Sequence, residues 1–215
     1  EAMTTNETLF FRDRAPFDAL ETLILPQMMK ARAATRRLSI WCAACSAGQE
    51  PYSLAMMFEE KRELWAGWTI AIHATDLSAA MIARAQAATY TQFEVQRGLP
   101  VRYLLKYFTQ DKDVWTLNAA LRSRVQFKTM NLTQDYGRIG PFDIIMCRNV
   151  LIYFDLPTRR DVLNRMLPHL ATDGRLILGA PETVVGVTNE YTPDPQAHGF
   201  YIPAKNKMSA LRQSA

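Results

Sequence analysis

The sequence predicts an α/β domain in which helices cover both faces of a mostly parallel sheet. From Leu38 onward, short apolar runs alternate with stretches patterned for helix, as in a parallel sheet wound with helices. The chain has 215 residues, of which 48% are hydrophobic, enough to bury one substantial core and too few to suggest two.

Taken in order, residues 38–43 form the first expected strand. It runs into the small-residue loop Cys42-Ala43-Ala44-Cys45-Ser46-Ala47-Gly48, and Pro51 suits the first turn of a helix reaching about Leu64. Residues 68–74 form a second strand ending at Thr75-Asp76, and Ser78 is a suitable N-cap for a helix with Ala79, Ile82, Ala83 and Ala87 on one face. Val125, Phe127 and Thr129 alternate with polar neighbours as in a half-buried strand, and residues 142–147 suit a buried one. Val162, Leu163, Met166, Leu167 and Leu170 mark a helical face, Asp173-Gly174 a turn into a strand at 175–179, and residues 199–203 a final strand closing the sheet. Met56, Met57 and Met166 fall on these apolar faces as core fillers, and the tail after Lys205 is polar and expected to be loose.

Between about Tyr90 and Leu121 the alternation breaks. A short helix at 101–107 precedes two β-prone fragments, around Phe108 and at 114–117, separated by Gln110-Asp111-Lys112-Asp113. The expected organisation is therefore a main domain of residues 1–90 and 122–205, with an inserted β-subdomain at 91–121 that contains a hairpin.

Several classes of function are disfavoured. The longest apolar stretch, residues 142–154, is interrupted by Asp143, Arg148 and Asn149, well short of the roughly 20 apolar residues a membrane span needs. No basic segment followed by an apolar one opens the chain, so a cytoplasmic location is expected. Cys42 and Cys45 form a C-x-x-C pair, but the remaining candidate ligands, Cys147, His73, His169 and His198, are scattered; small residues in a tight loop are the favoured reading over a metal or redox site. The net charge of +4 is mild and the Lys and Arg residues are dispersed, which does not suggest nucleic-acid binding.

Ligands of open parallel sheets bind at the carboxyl ends of the strands. The loop 42–48 lets a ligand approach the backbone, yet it lacks both the G-x-G-x-x-G spacing of dinucleotide sites and the lysine of a P-loop. Asp76, at a strand end, can accept hydrogen bonds from two ribose hydroxyls. The combination suits adenosine without phosphates; ordinary capping and turn residues would give the same pattern.

Five motifs in order carry a resemblance over residues 4–203. These are Thr4-Thr5-Asn6-Glu7-Thr8-Leu9-Phe10-Phe11-Arg12-Asp13, Gly48-Gln49-Glu50-Pro51-Tyr52-Ser53, Ala74-Thr75-Asp76, Asn131-Leu132, and Cys147-Arg148-Asn149-Val150-Leu151-Ile152-Tyr153-Phe154. Together they resemble the CheR family of chemoreceptor glutamate methyltransferases. The resemblance implies a Rossmann-like class I methyltransferase sheet, S-adenosylmethionine as cofactor and S-adenosylhomocysteine as product. By it, Asn6, Thr8, Arg12, Glu50, Asp76, Asn131, Leu132, Arg148 and Asn149 contact the cofactor, and Arg12 and Tyr153 lie near the transferred methyl group. Gln49 departs from the acid of many members. The chain also opens almost on the first motif, so the helical, basic N-terminal domain of the family is expected to be absent.

The implied acceptors are glutamate side chains on the cytoplasmic domain of a methyl-accepting chemoreceptor, approached by a monomeric enzyme. The turn between the two fragments of the insertion, residues 109–113, is short and lacks glycine, unlike the longer loop of members that grip a receptor's C-terminal pentapeptide, so no such tether is expected. Two rival readings remain: a module that binds S-adenosylmethionine or S-adenosylhomocysteine without turnover, and a methyltransferase of a protein outside chemotaxis. Without the resemblance, Arg148 reads as a surface ion-pair partner and Tyr153 as an amphipathic strand-end residue.

Overall fold

A computed structural model describes residues 8–204. Before the first strand, the chain forms α1 (Ala15–Ala19), a π-helical turn (Leu20–Ile24) and α2 (Leu25–Ala31), an N-terminal helical segment absent from the sequence expectations. It buries Phe17, Leu20, Ile24, Leu25 and Met28. Then follow β1 (Arg37–Ala43), α3 (Gln49–Glu60), β2 (Thr69–Asp76) and α4 (Ala79–Ala87). The middle of the chain holds β3 (Thr89–Thr91), α5 (Gln92–Gln96), α6 (Val101–Tyr107), β4 (Phe108–Asp111), β5 (Val114–Leu117) and α7 (Ala119–Arg122). The remainder is β6 (Val125–Thr129), β7 (Phe142–Cys147), a 3-10 turn (Leu151–Tyr153), α8 (Leu156–Met166), β8 (Leu170–Leu178), β9 (Tyr191–Pro193) and β10 (Phe200–Pro203).

Seven strands make the main sheet, in the order β6-β2-β1-β7-β8-β10-β9. The first five of that order run parallel, and β10 is antiparallel to both β8 and β9. Strand order reverses between β1 and β7, which opens a crevice at their carboxyl ends. Alternate residues of β1 feed the two faces. Leu38, Ile40 and Cys42 join a core with α3 and the N-terminal helices, while Trp41 and Ala43 join one with Val162, Leu163 and Met166 of α8.

The antiparallel sheet β3-β5-β4 packs into the first of these cores: Phe10 stands edge-on to Tyr90 at 5.0 Å and to Phe108 at 5.7 Å. It begins at Thr89, ahead of the boundary expected at 91. The pairing of Asp111 with Val114 leaves a turn of only Lys112 and Asp113, so Thr109 to Asp111, expected in the turn, are strand.

Other expectations need correction. α3 ends at Glu60 rather than near Leu64: the backbone leaves the helix at Lys61 (φ −114°, ψ 29°), and residues 61–67 continue as hydrogen-bonded turns. On α4 the buried residues are Ile82 and Ala85, while Ala79, Ala83 and Ala87 face outward; alanine carries little directional information. Leu170 is not helical: α8 stops at Met166, Pro168 has no N–H to continue it, and Leu170 opens β8. Nor is Asp173-Gly174 a turn between elements. It lies inside β8 at an irregularity where Phe142 pairs with Leu170 and Ile144 with Arg175, and a Cβ on Gly174 would sit 2.9 Å from the Asp143 carbonyl oxygen. Finally, β10 does not close the sheet; β9 lies outside it at the edge.

At the end of the sheet away from the crevice, Arg32, just after α2, is anchored to Asp143 at 2.7 Å and to both oxygens of Asp173 at 2.8 and 2.6 Å. Asp143 also accepts the Ser39 N–H at 2.8 Å.

Candidate functional site

A cavity of about 230 Å3 occupies the crevice at the carboxyl ends of β1, β2 and β7. One wall is built by Asp76, the last residue of β2. One carboxylate oxygen accepts the Ser46 N–H at 2.8 Å and the other the Ser78 N–H at 2.9 Å. Each oxygen therefore keeps acceptor capacity for a further donor. The loop beneath reaches this position through positive φ at Ala44 (61°) and Ser46 (50°), with the Cys45 N–H held by the Thr75 carbonyl at 2.9 Å. Ser78 caps α4 by accepting the Met81 N–H.

A second wall is a buried charge network. Glu50, in the first turn of α3, pairs with the Arg148 guanidinium at 2.9 Å, and the Arg148 side chain is only 2% exposed. The same guanidinium donates to the Arg12 carbonyl at 2.8 Å and to Asp13 at 3.0 Å. Burial raises the Glu50 pKa, and Arg148 opposes that shift. Burial also pushes the thiols of Cys42, Cys45 and Cys147 well above their ordinary range, so they remain protonated at neutral pH. Phe11, Asp13 and Arg14 all adopt positive φ where the N-terminal segment turns across the pocket.

The third wall follows β7. Asn149 has φ 58°, and the turn after it carries Tyr153 to the rim, where it is 44% exposed. Glu182, buried beneath, accepts the backbone N–H groups of Asn149, Val150 and Leu151 at 2.7, 2.9 and 2.7 Å. Asn131 and Leu132 lie beyond β6, with Asn131 Oδ1 accepting from the N–H and hydroxyl of Thr133, each at 2.9 Å.

Of the residues singled out in the sequence, Thr8, Arg12, Glu50, Asp76, Asn131, Leu132, Arg148, Asn149 and Tyr153 all line this one cavity. Asn6 lies outside the described residues. Leu9, Leu77, Met130, Val150 and Phe154 line it too and were not singled out as contacts; each flanks a residue that was. Asp13 ends the first motif without having been singled out, and Glu182 lies in none of the five, their partners being distant in sequence.

A strand-end carboxylate with spare acceptor sites, beside a small-residue loop without a phosphate cradle, fits an adenosine group. Residues 6–200 match the model of a family described as CheR methyltransferase, SAM binding domain. The chain belongs to this family. It is 44% identical over 211 residues to chemotaxis protein methyltransferase 1 of Pseudomonas aeruginosa, covering 95% of this chain and 76% of that protein. It is 39% identical to chemotaxis protein methyltransferase Cher2 of Pseudomonas putida, with 95% and 76% covered. A third relative, a chemotaxis protein methyltransferase of Vibrio anguillarum, is 41% identical, with 89% and 70% covered. As a member of the CheR family, the chain has S-adenosylmethionine as its cofactor, and its main sheet is a Rossmann-like class I methyltransferase sheet.

Proposed function

We propose that this chain transfers a methyl group from S-adenosylmethionine to glutamate carboxylates on the cytoplasmic helices of chemoreceptors, forming glutamyl methyl esters in chemotaxis adaptation. The observation that carries the reading is the convergence of nine motif residues on one cavity in a chain of the CheR family. Bound S-adenosylmethionine supplies a sulfonium-activated methyl group, whose C–S bond breaks as the C–O bond of the ester forms, leaving S-adenosylhomocysteine.

The chain's own task is placement. A glutamate side chain, with an ordinary pKa of about 4.3, is ionised at neutral pH and needs no general base. Asp76 accepts the ribose hydroxyls. Glu50, Asn131, Leu132, Thr8 and Asn149 line the rest of the cofactor, with Asn6 assigned there by its motif. Arg148 serves the same site by fixing Glu50 and the Arg12 backbone. The Arg12 guanidinium orients the incoming carboxylate through two hydrogen bonds, and the Tyr153 phenol fixes one of its oxygens or walls the methyl pocket.

No helix among the described residues is long and apolar enough to cross a membrane. That agrees with an acceptor, and hence a reaction, in the cytoplasm. On this reading the enzyme acts as a monomer. The main unit on this reading is residues 1–90 and 122–205, with 91–121 a β-subdomain inserted in it. The two-residue turn Lys112-Asp113 supports a tether-independent enzyme that needs no C-terminal receptor pentapeptide.

Incubation with methyl-labelled cofactor and receptor cytoplasmic fragments should give base-labile methyl esters on glutamate. Cofactor binding without transfer to any protein would establish the non-catalytic module instead, and transfer only to proteins outside chemotaxis would move the acceptor. Peptides copied from receptor C-termini should not bind; micromolar affinity at residues 90–121 would restore the tether.

A further inference from the structure

Below the cavity, the side chain of Glu182 collects donors as no other carboxylate of the described residues does. Oε1 accepts the N–H groups of Val150, Leu151 and Ile152 at 2.9, 2.7 and 3.3 Å, and Oε2 those of Asn149 and Gly179 at 2.7 and 2.8 Å. The residue is 8% exposed, and all five donors are backbone amides. We propose that Glu182 is a positioning residue of methyl transfer: it fixes the loop that holds Asn149 and Val150 on the cavity and Tyr153 at its rim. The proposal rests on the methyltransferase reading above and adds a residue that does not itself line the cavity.

The argument is one of unsatisfied donors. The N–H groups leading a short helical turn have no partner within the turn, and Leu151–Tyr153 is too short to supply one. Left unpaired below the surface, each would cost free energy, and the loop would move to find other acceptors. A single carboxylate answers them together, and it also holds Asn149 in the left-handed conformation, which a non-glycine residue seldom adopts unaided. Glu182 is itself placed by a tight turn, its N–H donating to the Gly179 carbonyl at 2.9 Å. Gly179 completes the fit. A Cβ there would lie 2.8 Å from Asn149 N, Asn149 Nδ2 and Glu182 Oε2, so the end of β8 must be bare for the loop after β7 to lie on it.

The carboxylate is required because both oxygens must accept. In Glu182→Gln, the amide oxygen can keep the three donors of residues 150–152, but the amide nitrogen then faces the N–H groups of Asn149 and Gly179, donor against donor. Amide exchange followed by NMR should therefore quicken at Asn149 and Gly179 by about 10- to 100-fold, the loss of one charge-assisted bond each. Exchange at Ile40 of β1 should stay as in the wild type. In the same variant, kcat at saturating cofactor, per folded molecule, should fall by up to about 100-fold, the scale of an ångström-level misplacement. S-adenosylhomocysteine affinity by calorimetry should fall less.

Wild-type exchange at Asn149 and Gly179 overturns the proposal, as does faster exchange with undiminished kcat, which would make the clamp merely structural. Should the wild-type protein methylate no receptor fragment, the functional reading fails separately. The exchange and calorimetry measurements then still decide whether Glu182 places the loop, with wild-type values in either one overturning it. If Glu182→Gln does not fold, Glu182→Asp, which keeps both oxygens one methylene further back, takes its place in the same measurements, with the same losses expected over all five amides.

Discussion

The two long sides of the cavity are held in different ways. On the β2 side, Asp76 reaches the Ser78 N–H two residues along the chain and the Ser46 N–H in the neighbouring strand's loop, and remains open to a ligand. On the β7 side, Arg148 reaches 98 residues to Glu50 and 136 to the Arg12 carbonyl, and Glu182 reaches back 33 to Asn149. The first side is a product of local turn chemistry on a strand end. The second exists only when the whole tertiary structure does, so changes there should cost stability and function together, whereas changes on the β2 side should separate them.

The largest effect is expected for Arg148→Met, which strands Glu50 without its cation and should lower unfolding free energy by about 3–5 kcal/mol in urea titration. The loss should depend on pH. Glu50 already has a raised pKa in the fold, and removing Arg148 raises it further. A carboxyl group raised in this way favours the folded state fully only below its unfolded pKa of about 4.3, and that advantage disappears as pH rises through the folded value. The variant should therefore approach wild-type stability in mild acid and fall furthest behind at neutral pH; an equal deficit at both would remove Glu50 from the account.

Next is Asp76→Ala, which should weaken S-adenosylhomocysteine binding by about 3 kcal/mol, roughly a hundredfold, through loss of two charge-assisted bonds to ribose. Calorimetry showing unchanged affinity would take Asp76 out of the site. Arg12→Ala should slow single-turnover transfer at saturating cofactor by about 2 kcal/mol beyond any change in cofactor affinity, because only the side chain is lost and Arg148 still holds the backbone. Wild-type rates would leave Arg12 a structural role only. Smallest is Ser78→Ala, worth about 1 kcal/mol as a lost N-cap by thermal unfolding. Affinity there should barely move, and a large drop would show that the two sides are less separable than their contacts imply.

The same contrast explains what the sequence disclosed. Strands β1, β2, β6 and β7 were legible from apolar runs, and Asp76 and the Ser78 cap from strand-end chemistry, because those signals are local. The helices before β1 were not, since their apolar residues gain partners only on joining the core of β1 and α3. The Asp173-Gly174 pair misled for a related reason: a turn signal in the sequence became a strand irregularity because Asp173 answers Arg32, 141 residues earlier. Arg148 could be singled out by its motif, but not its burial or its hold on Arg12. Glu182 left no trace, because its partners are backbone amides, which any residue type supplies.

The N-terminal segment runs between two arginine anchorages at opposite ends of the sheet, Arg32 on Asp143 and Asp173, and Arg12–Asp13 on Arg148. This has a consequence for synthesis. Phe17, Leu20 and Ile24 lie between these two arginines, yet the partners of both arginines are translated more than a hundred residues later, 111 for Arg32 to Asp143 and 136 for Arg12 to Arg148. Until β7 emerges neither anchorage can form, and these side chains rest on β1 and α3 unsecured, open to chaperones or to aggregation. In refolding followed by pulsed hydrogen exchange, residues 17–28 should accordingly gain protection after β1 and β2 have paired, so a segment made before the sheet is secured after it.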